Sequence, residues 1–128
     1  MEWAAEQAQL EHRPLVAVSA AEWDNASAWL EGDGGGPVAE AVLANARAVA
    51  DAAVALAQRK RPTVVARPLA VPGDPRVALA DLSEDAHLVV MGSRGRGPLR
   101  SMLLGSVSSG VTKYATCPVV VCRPPLHE

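Results

Sequence analysis

Residues 88–124 read LVVMGSRGRGPLRSMLLGSVSSGVTKYATCPVVVCRP, and this stretch decides the fold. It opens with a short, continuous apolar run at 88–91, which is typical of a parallel strand buried on both faces. A glycine-bearing loop follows, and we expect a helix from Ser106, its cap, to about Tyr114. The stretch closes with a second apolar run at 118–122. This order predicts a crossover between two parallel strands.

The loop after the first of these strands has a regular spacing of glycines. Gly92 and Gly95 are followed by nine residues and then by Gly105. Glycine lets the backbone approach a ligand closely and permits positive φ. The loop begins at the carboxyl end of a strand, where open α/β sheets bind their ligands. It is neither a P-loop nor a GxGxxG turn, so a plain loop before a capped helix is the alternative interpretation.

Polar groups next to the last glycine favour an anion. Ser106, Val107 and Ser108 would present the free N–H groups of a helix N-terminus, with two hydroxyls beside them. The helix dipole adds to this preference. Arg94 and Arg96 could donate charge-assisted hydrogen bonds to phosphate oxygens, although both could equally be solvated loop residues.

The rest of the chain repeats the alternation of strands and helices. Apolar spacing and breaker residues predict these elements: a helix over 1–12, a strand over 15–18, a loop over 20–36 with a helical turn near 23–30, a helix over 38–59, a strand over 63–66, and a helix from Asp74 to about Ser83. One apolar face of the long helix is formed by Val38, Val42, Ala46, Val49, Ala53 and Leu56. The alternation predicts an α/β fold, an open parallel sheet with helices on both faces.

Composition limits the classes of protein to consider. The chain has 128 residues, of which 49% are apolar, and this suits a single domain over 1–128. No stretch reaches the roughly 18 apolar residues of a spanning helix, and the acidic start does not resemble a signal peptide. A net charge of −2 argues against nucleic-acid binding by bulk electrostatics. Cys117 and Cys122 lack metal-type spacing and favour a reduced, cytoplasmic protein.

Residues 88–124 resemble the carboxy-terminal half of universal stress proteins, and their G-x2-G-x9-G-S/T spacing is that of the family's ATP-binding branch. Residues 73–92 resemble the family's preceding helix and strand, with His87 where an acidic residue is usual. Residues 2–20 resemble its first helix and second strand. The resemblance implies a Rossmann-like fold of the adenine nucleotide alpha hydrolase type. It also implies a cytoplasmic regulatory module of the stress response that binds ATP with Mg²⁺ and is not an enzyme.

Carried over by position, the resemblance assigns these residues to the nucleotide site: Ala20, Met91, Gly92, Ser93, Arg94, Gly95, Arg96, Gly105, Ser106, Val107 and Ser108. Ala20 and Met91 stand at strand ends where the family lines its pocket, and the loop and helix residues correspond to those that wrap phosphates and ribose. No catalytic residue or protein metal ligand is expected. We interpret the acidic cluster of Asp81, Glu84 and Asp85 as a solvated helix end.

The sequence departs from the family at its amino terminus. The family opens with a strand that ends in a Val-Asp-Gly-Ser-like turn and lies between the strands at 15–19 and 88–91. The sequence here begins within the first helix, which leaves four strands instead of five. Loss of a central strand leaves two inner edges without partners. Three outcomes stay open: a longer natural protein, two edges that close on each other, or a strand supplied by another chain.

A second hypothesis is a dimerising interaction module that has lost nucleotide binding. Its basis is the missing strand, because the Asp of that strand's turn helps to hold the adenine side of the family's site. The resemblance also implies a homodimer through the last strand, here Val119, Val120 and Val121. An exposed apolar edge strand makes such pairing physically reasonable.

Overall fold

The computed structural model describes residues 2–22, 36–92 and 105–122. The helical turn predicted near 23–30 and most of the glycine loop, 93–104, lie outside the described residues. The chain divides into two compact units, Met1–Asp74 and Pro75–Glu128. We call them the amino-terminal and the carboxy-terminal unit and describe each by itself.

The amino-terminal unit contains, among its described residues, two helices and two parallel strands. Its elements are α1 (Glu2–Leu10), β1 (Leu15–Ala21), α2 (Gly36–Lys60) and β2 (Ala66–Pro72). The strands pair in parallel along their full length, from Leu15 opposite Ala66 to Ala21 opposite Pro72. Parallel strands need a long crossover, and the 25 residues of α2 supply it while packing against both strands.

The second strand lies further along the chain than the sequence predicts. Thr63 belongs to a turn that follows α2, in which the Val64 N–H donates to the Arg61 carbonyl at 3.0 Å. The predicted strand over 63–66 is therefore wrong except for its last residue. The observed strand contains Pro68. Proline is accepted there because β2 has a strand partner on one side only, as far as the described residues show.

The buried face of α2 also differs from the valine-rich face that the spacing indicates. Four alanines, Ala39, Ala46, Ala50 and Ala57, are at most 7% exposed. Of the predicted set, only Ala46 is among them. The small methyl groups let the helix lie close to β1 and β2, whereas Val38, Val49 and Leu56 are exposed on a different arc of the helix.

The carboxy-terminal unit has the order that residues 88–124 predict. Its elements are α3 (Pro75–Leu82), a 3₁₀ turn (Ser83–Asp85), β3 (Val89–Gly92), α4 (Ser106–Tyr114) and β4 (Val119–Cys122). Strands β3 and β4 are parallel, and helices α3 and α4 pack against each other. Fully buried side chains of this unit include Val111, Ser83 and Ser108.

The α/β class with parallel strands is confirmed, and the four strands lie in two small sheets, β1–β2 and β3–β4. Within the described residues, β1 and β3 do not pair with each other. The outcome in which these two inner edges close into one four-stranded sheet is therefore not found there. Each sheet keeps one strand pair, held by the backbone ladder and by the helices packed on it.

Candidate functional site

The candidate site belongs to the carboxy-terminal unit, where β3 ends and α4 begins. β3 ends at Gly92, which is exposed, and the half-buried Met91 precedes it. The helix begins at Ser106, after Gly105 in an extended conformation with φ −75° and ψ 173°. The two ends of the predicted loop thus lie on a strand terminus and a helix N-terminus, as the sequence indicates. Ser93, Arg94, Gly95 and Arg96 lie outside the described residues.

The cap of α4 is Gly105 and not Ser106, which corrects the prediction by one residue. Gly105 has no side chain to accept a hydrogen bond from the first turn. The carbonyl of Gly105 accepts the Ser109 N–H at 3.0 Å, and this bond begins the regular helical ladder. The N–H groups of Ser106 and Val107 therefore precede the ladder at the start of the helix.

Gly92 and Gly105, the two glycines of the predicted site that the structure describes, do not have positive φ. Gly105 has an ordinary negative φ, and within the described residues the only glycine with a positive φ is Gly73, at 104°. The freedom that glycine gives to adopt left-handed backbone is therefore not used at Gly92 or Gly105. What remains at both positions is the absence of a side chain, which leaves room for close approach to the backbone.

The two serines of the first turn are placed differently. Ser106 is exposed. Ser108 is only 2% exposed, and its hydroxyl donates to the Gly105 carbonyl at 3.3 Å. Its own carbonyl accepts the hydroxyl of Thr112 at 2.9 Å. Ser108 therefore anchors the start of the helix with its side chain, and Ser106 supplies the hydroxyl that is accessible.

Sequence reasoning missed one residue at this end of the sheet. Cys122 is the register partner of Gly92, so its half-buried thiol belongs to the last residue pair of the β3–β4 ladder. The two apolar runs, 88–91 and 118–122, have similar lengths, and this is the sequence feature that indicates pairing between them. Which residues stand opposite each other in two parallel strands cannot be deduced from a single sequence. Cys117 lies at the opposite end, before β4 begins.

The remaining predicted positions are distributed over both units. Ala20 is half-buried in β1, opposite Val71, in the amino-terminal unit. Met91, Gly92, Gly105 and the first turn of α4 share the carboxy-terminal unit. Asp81, Glu84 and Asp85 are exposed at the end of α3 and in the 3₁₀ turn that follows it. In the described part of the chain, no three His, Cys, Asp or Glu side chains form a group that could hold a metal.

A donor set of backbone N–H groups and one hydroxyl is suited to phosphate oxygens. It is poorly suited to binding a metal ion directly, because a backbone N–H has no lone pair to offer and only the hydroxyl supplies an oxygen ligand of the kind that hard cations take. A magnesium ion at this site would therefore be held mainly by a phosphate ligand.

Within residues 2–22, 36–92 and 105–122, every helix is too short or too polar to cross a bilayer.

One family of known proteins matches nearly the whole chain. The profile of the universal stress protein family matches residues 1–123. The universal stress protein Rv2005c of Mycobacterium tuberculosis is 34% identical over 130 residues, which cover 93% of this chain and 41% of that protein. Rv2623 of the same organism is 44% identical over 69 residues, 54% of this chain and 23% of that protein. The chain thus spans less than half the length of these curated relatives.

Solved structures share the fold at low sequence identity. The universal stress protein UspA from Lactobacillus plantarum superimposes with a TM-score of 0.73 at 20% identity, covering 94% of this chain and 85% of that one. A universal stress protein solved in complex with cAMP gives a TM-score of 0.57 at 23% identity, covering 97% and 84%. The family profile spans nearly every residue, and a strand and a helix lie on either side of the predicted loop, so the chain belongs to the universal stress protein family.

Proposed function

We propose that this chain is a cytoplasmic, stress-response regulatory module that binds an adenine nucleotide, ATP with Mg²⁺, as one domain. The observation that carries the proposal is the first turn of α4, whose leading N–H groups precede the helical ladder and follow a glycine without a capping side chain. That a related universal stress protein was solved with cAMP supports an adenine nucleotide as the ligand class.

The phosphates would lie against α4. The N–H groups of Ser106 and Val107 and the Ser106 hydroxyl supply donors, and the positive end of the helix dipole favours the negative charge. Arg94 and Arg96 would contribute from the loop. Backbone N–H groups offer no oxygen ligand to a cation, so Mg²⁺ would be held mainly by the phosphates of the nucleotide.

The base and ribose would lie toward the end of β3. Met91 is the last residue of β3 with a side chain and is half-buried. Its side chain offers apolar contact and no fixed charge, which suits a purine ring and gives little discrimination by hydrogen bonding.

Binding, and not turnover, is the proposed role. The described residues of the site are glycines, serines and apolar side chains, which donate hydrogen bonds or make contact. A serine hydroxyl is not basic enough to take a proton from water, and it becomes a nucleophile only where an adjacent base activates it. The site is therefore suited to holding a nucleotide whose presence changes the protein's interactions.

Isothermal titration of the full chain with Mg-ATP and with cAMP tests the proposal. We expect a Gly105→Val, Ser106→Val double variant to weaken binding roughly 100-fold, since it crowds the backbone and removes a donor; 1.4 kcal/mol corresponds to about tenfold. Ser109→Ala, an exposed position further along the same helix, is the matched control and should bind normally. Absence of heat at millimolar nucleotide, or equal binding by both variants, contradicts the proposal.

A second candidate function is a dimerising interaction module, favoured by the open edge of β4. Its residues Val119, Val120 and Val121 are all half-buried, and β4 pairs with β3 on one edge only within the described residues. The open edge could pair with the same strand of another copy. Val121→Pro, which removes a backbone donor that is directed away from β3, would then abolish a dimer detected by sedimentation.

A further inference from the structure

Three polar residues on one face of α1 contact the segment in which α2 ends. Glu2, Glu6 and Gln9 are spaced by four and three residues, so they lie on the same face of the helix. The Glu2 carboxylate pairs with the Lys60 ammonium group at 3.2 Å. The Glu6 carboxylate pairs with the Arg61 guanidinium group, also at 3.2 Å. Two ion pairs therefore connect α1 to the carboxyl end of α2 and the residue that follows it.

The third contact of this face is made to a threonine. The side-chain amide of Gln9 donates a hydrogen bond to the hydroxyl of Thr63. Thr63 is exposed and belongs to the turn between α2 and β2. Gln9 is a surface neighbour of Glu6, which pairs with Arg61. The Thr63 hydroxyl therefore lies on the surface beside an arginine and a carboxylate that are already paired.

The residues around Thr63 form a pattern that one class of protein kinases selects. Residues 59–64 read Arg-Lys-Arg-Pro-Thr-Val. Lys60 and Arg61 stand three and two positions before the threonine, and the apolar Val64 follows it. Kinases that select basic residues choose their substrates by such charge patterns. Thr63 is the only serine or threonine of the sequence with a basic residue at both of these positions.

A phosphate on Thr63 would compete with α1 for these basic residues. The side chains of both ion pairs are between 42% and 69% exposed, and exposed pairs of this kind contribute little to stability. A phosphothreonine carries about −1.5 to −2 charges at neutral pH and three strong acceptor oxygens, so it attracts a nearby guanidinium group more strongly than one carboxylate does. The same charge repels the carboxylate of Glu6. Both effects act against the attachment of α1.

We propose that Thr63 is the phosphate acceptor of a protein kinase that selects basic residues, and that the phosphate draws Arg61 away from Glu6. In the transfer, Oγ1 of Thr63 bonds to the γ-phosphorus of ATP while the bond from that phosphorus to the β,γ-bridging oxygen breaks, and ADP leaves. The hydroxyl proton passes to the catalytic aspartate of the kinase. The site lies in the amino-terminal unit and does not depend on the nucleotide site proposed at α4.

The transfer requires a local opening of the turn. Val64 is only 5% exposed, so its side chain must leave the core of the unit before a kinase can hold the segment. α2 ends at Lys60, and helix ends and turns open at a small part of the cost of global unfolding. We therefore expect the folded chain to be phosphorylated at a rate within roughly 100-fold of that of the isolated peptide 57–67. A larger difference between the two rates overturns the proposal.

Incubation of the full chain with radiolabelled ATP and the catalytic subunit of the cyclic-AMP-dependent protein kinase, a kinase that selects basic residues, tests the site. We expect a single phosphate, located on Thr63 by peptide mass spectrometry. Thr63→Ala should abolish incorporation, and Thr63→Ser should restore it. Thr112→Ala is the matched control, because Thr112 is exposed and has no basic residue just before it. Incorporation that survives Thr63→Ala, or that occurs without the kinase, overturns the proposal.

Two double variants separate recognition by the kinase from contact with α1. Lys60→Gln with Arg61→Gln removes the basic residues and both ion pairs, and it should slow phosphorylation at least roughly tenfold. Glu2→Gln with Glu6→Gln removes the same ion pairs but keeps the basic residues, so it should not slow the reaction. Circular dichroism checks that both variants are folded. Equal slowing in the two variants contradicts recognition through the basic residues.

Amide hydrogen exchange tests the effect of the phosphate on α1. In the phosphorylated chain, the amides of α1 should exchange roughly threefold to tenfold faster, because two exposed ion pairs are lost. The amides of α4, in the carboxy-terminal unit, should keep their rates and serve as the internal control. Thr63→Ala protein treated with the same kinase should show no change. Unchanged or slower exchange in α1 of the phosphorylated chain overturns the proposed loss of the contact between Arg61 and Glu6.

Discussion

The hydroxyl of Ser83 accepts a hydrogen bond from the backbone N–H of Thr116 at 2.9 Å. The same hydroxyl donates to the Ala80 carbonyl at 2.6 Å and lies 3.3 Å from the Thr116 hydroxyl. Ser83 is only 1% exposed. One side chain thus connects the end of α3 to the turn between α4 and β4, at the end of the sheet opposite the proposed nucleotide site.

Replacing Ser83 with alanine should therefore destabilise the carboxy-terminal unit. The change leaves the Thr116 N–H without its acceptor, and an unsatisfied part-buried donor costs about 1–3 kcal/mol. Urea unfolding followed by circular dichroism measures this loss. Ser109→Ala, at an exposed serine, should change the free energy of unfolding by less than about 0.5 kcal/mol. Equal stability of the two variants would show that the Ser83 hydroxyl contributes nothing.

A second prediction concerns the end of α1. His12 has φ 54°, and its N–H donates to the Gln9 carbonyl while the Arg13 N–H donates to the Ala8 carbonyl. This pair of bonds is a Schellman ending, with His12 at the position that glycine usually occupies. His12→Gly should raise the free energy of unfolding by about 0.5–1 kcal/mol, since it removes the left-handed strain. A lower free energy of unfolding contradicts this assignment.

A third prediction concerns the turn after β2, where a glycine at positive φ is replaced by a residue with a side chain. Gly73 has φ 104°, and its N–H donates to the Ala21 carbonyl at 2.8 Å. A Cβ at this position would meet no atom within 4 Å, so any cost of Gly73→Ala comes from the backbone alone. We expect a loss of about 1–2 kcal/mol in thermal or urea unfolding. No loss would indicate that the turn relaxes to negative φ.

The sequence predicts the elements of the carboxy-terminal unit better than those of the amino-terminal unit, because the strands of the two units differ in their residue types. Continuous apolar runs bounded by glycine or proline have few alternative interpretations, so β3, α4 and β4 lie within a residue or so of their expected positions. Val64 and Val65 also form an apolar run, but they lie in the connection between α2 and β2. The strand itself carries two prolines, which local propensity argues against. Only the direction of the ladder shows that both prolines stand on the outer edge, where their missing N–H groups cost no bond.

The helix face and the site show two further limits of sequence reasoning. In α2, alanine and valine occur around most of the helix. A prediction from apolar spacing therefore favours the face with the larger side chains, whereas the buried face is formed by alanines. At the site, the spacing correctly locates the N-terminus of α4 but shifts its cap by one residue. The neighbour Cys122 depends on strand register, which only the three-dimensional structure gives.

A fourth prediction uses the contact between α3 and α4. A Cβ added to Gly110 would lie 2.8 Å from Cδ and 2.9 Å from Cγ of Arg76, so the stem of that side chain must move. Gly110→Ala should cost about 1 kcal/mol in the wild-type background, because overpacking exceeds the gain in helix propensity. In an Arg76→Ala background the same change should stabilise by about 0.5–1 kcal/mol. A double-mutant cycle in urea measures the change of sign, and the same sign in both backgrounds contradicts the contact.

The last prediction links the strand register to the proposed nucleotide site. Cys122 pairs with Gly92 at the end of β3, whereas Cys117 precedes β4 at the other end, where its thiol lies 3.4 Å from the Pro118 carbonyl. A nucleotide bound at the end of β3 should shield the first thiol and leave the second one accessible. With Mg-ATP at about ten times its Kd, alkylation of Cys122 should slow roughly tenfold, because only the free protein reacts. Peptide mass spectrometry after timed treatment with iodoacetamide reports both thiols in one sample, so Cys117 serves as the internal control. Slowing of both thiols alike would indicate a general tightening of the fold, and slowing of neither would place any bound nucleotide away from the β3–β4 end.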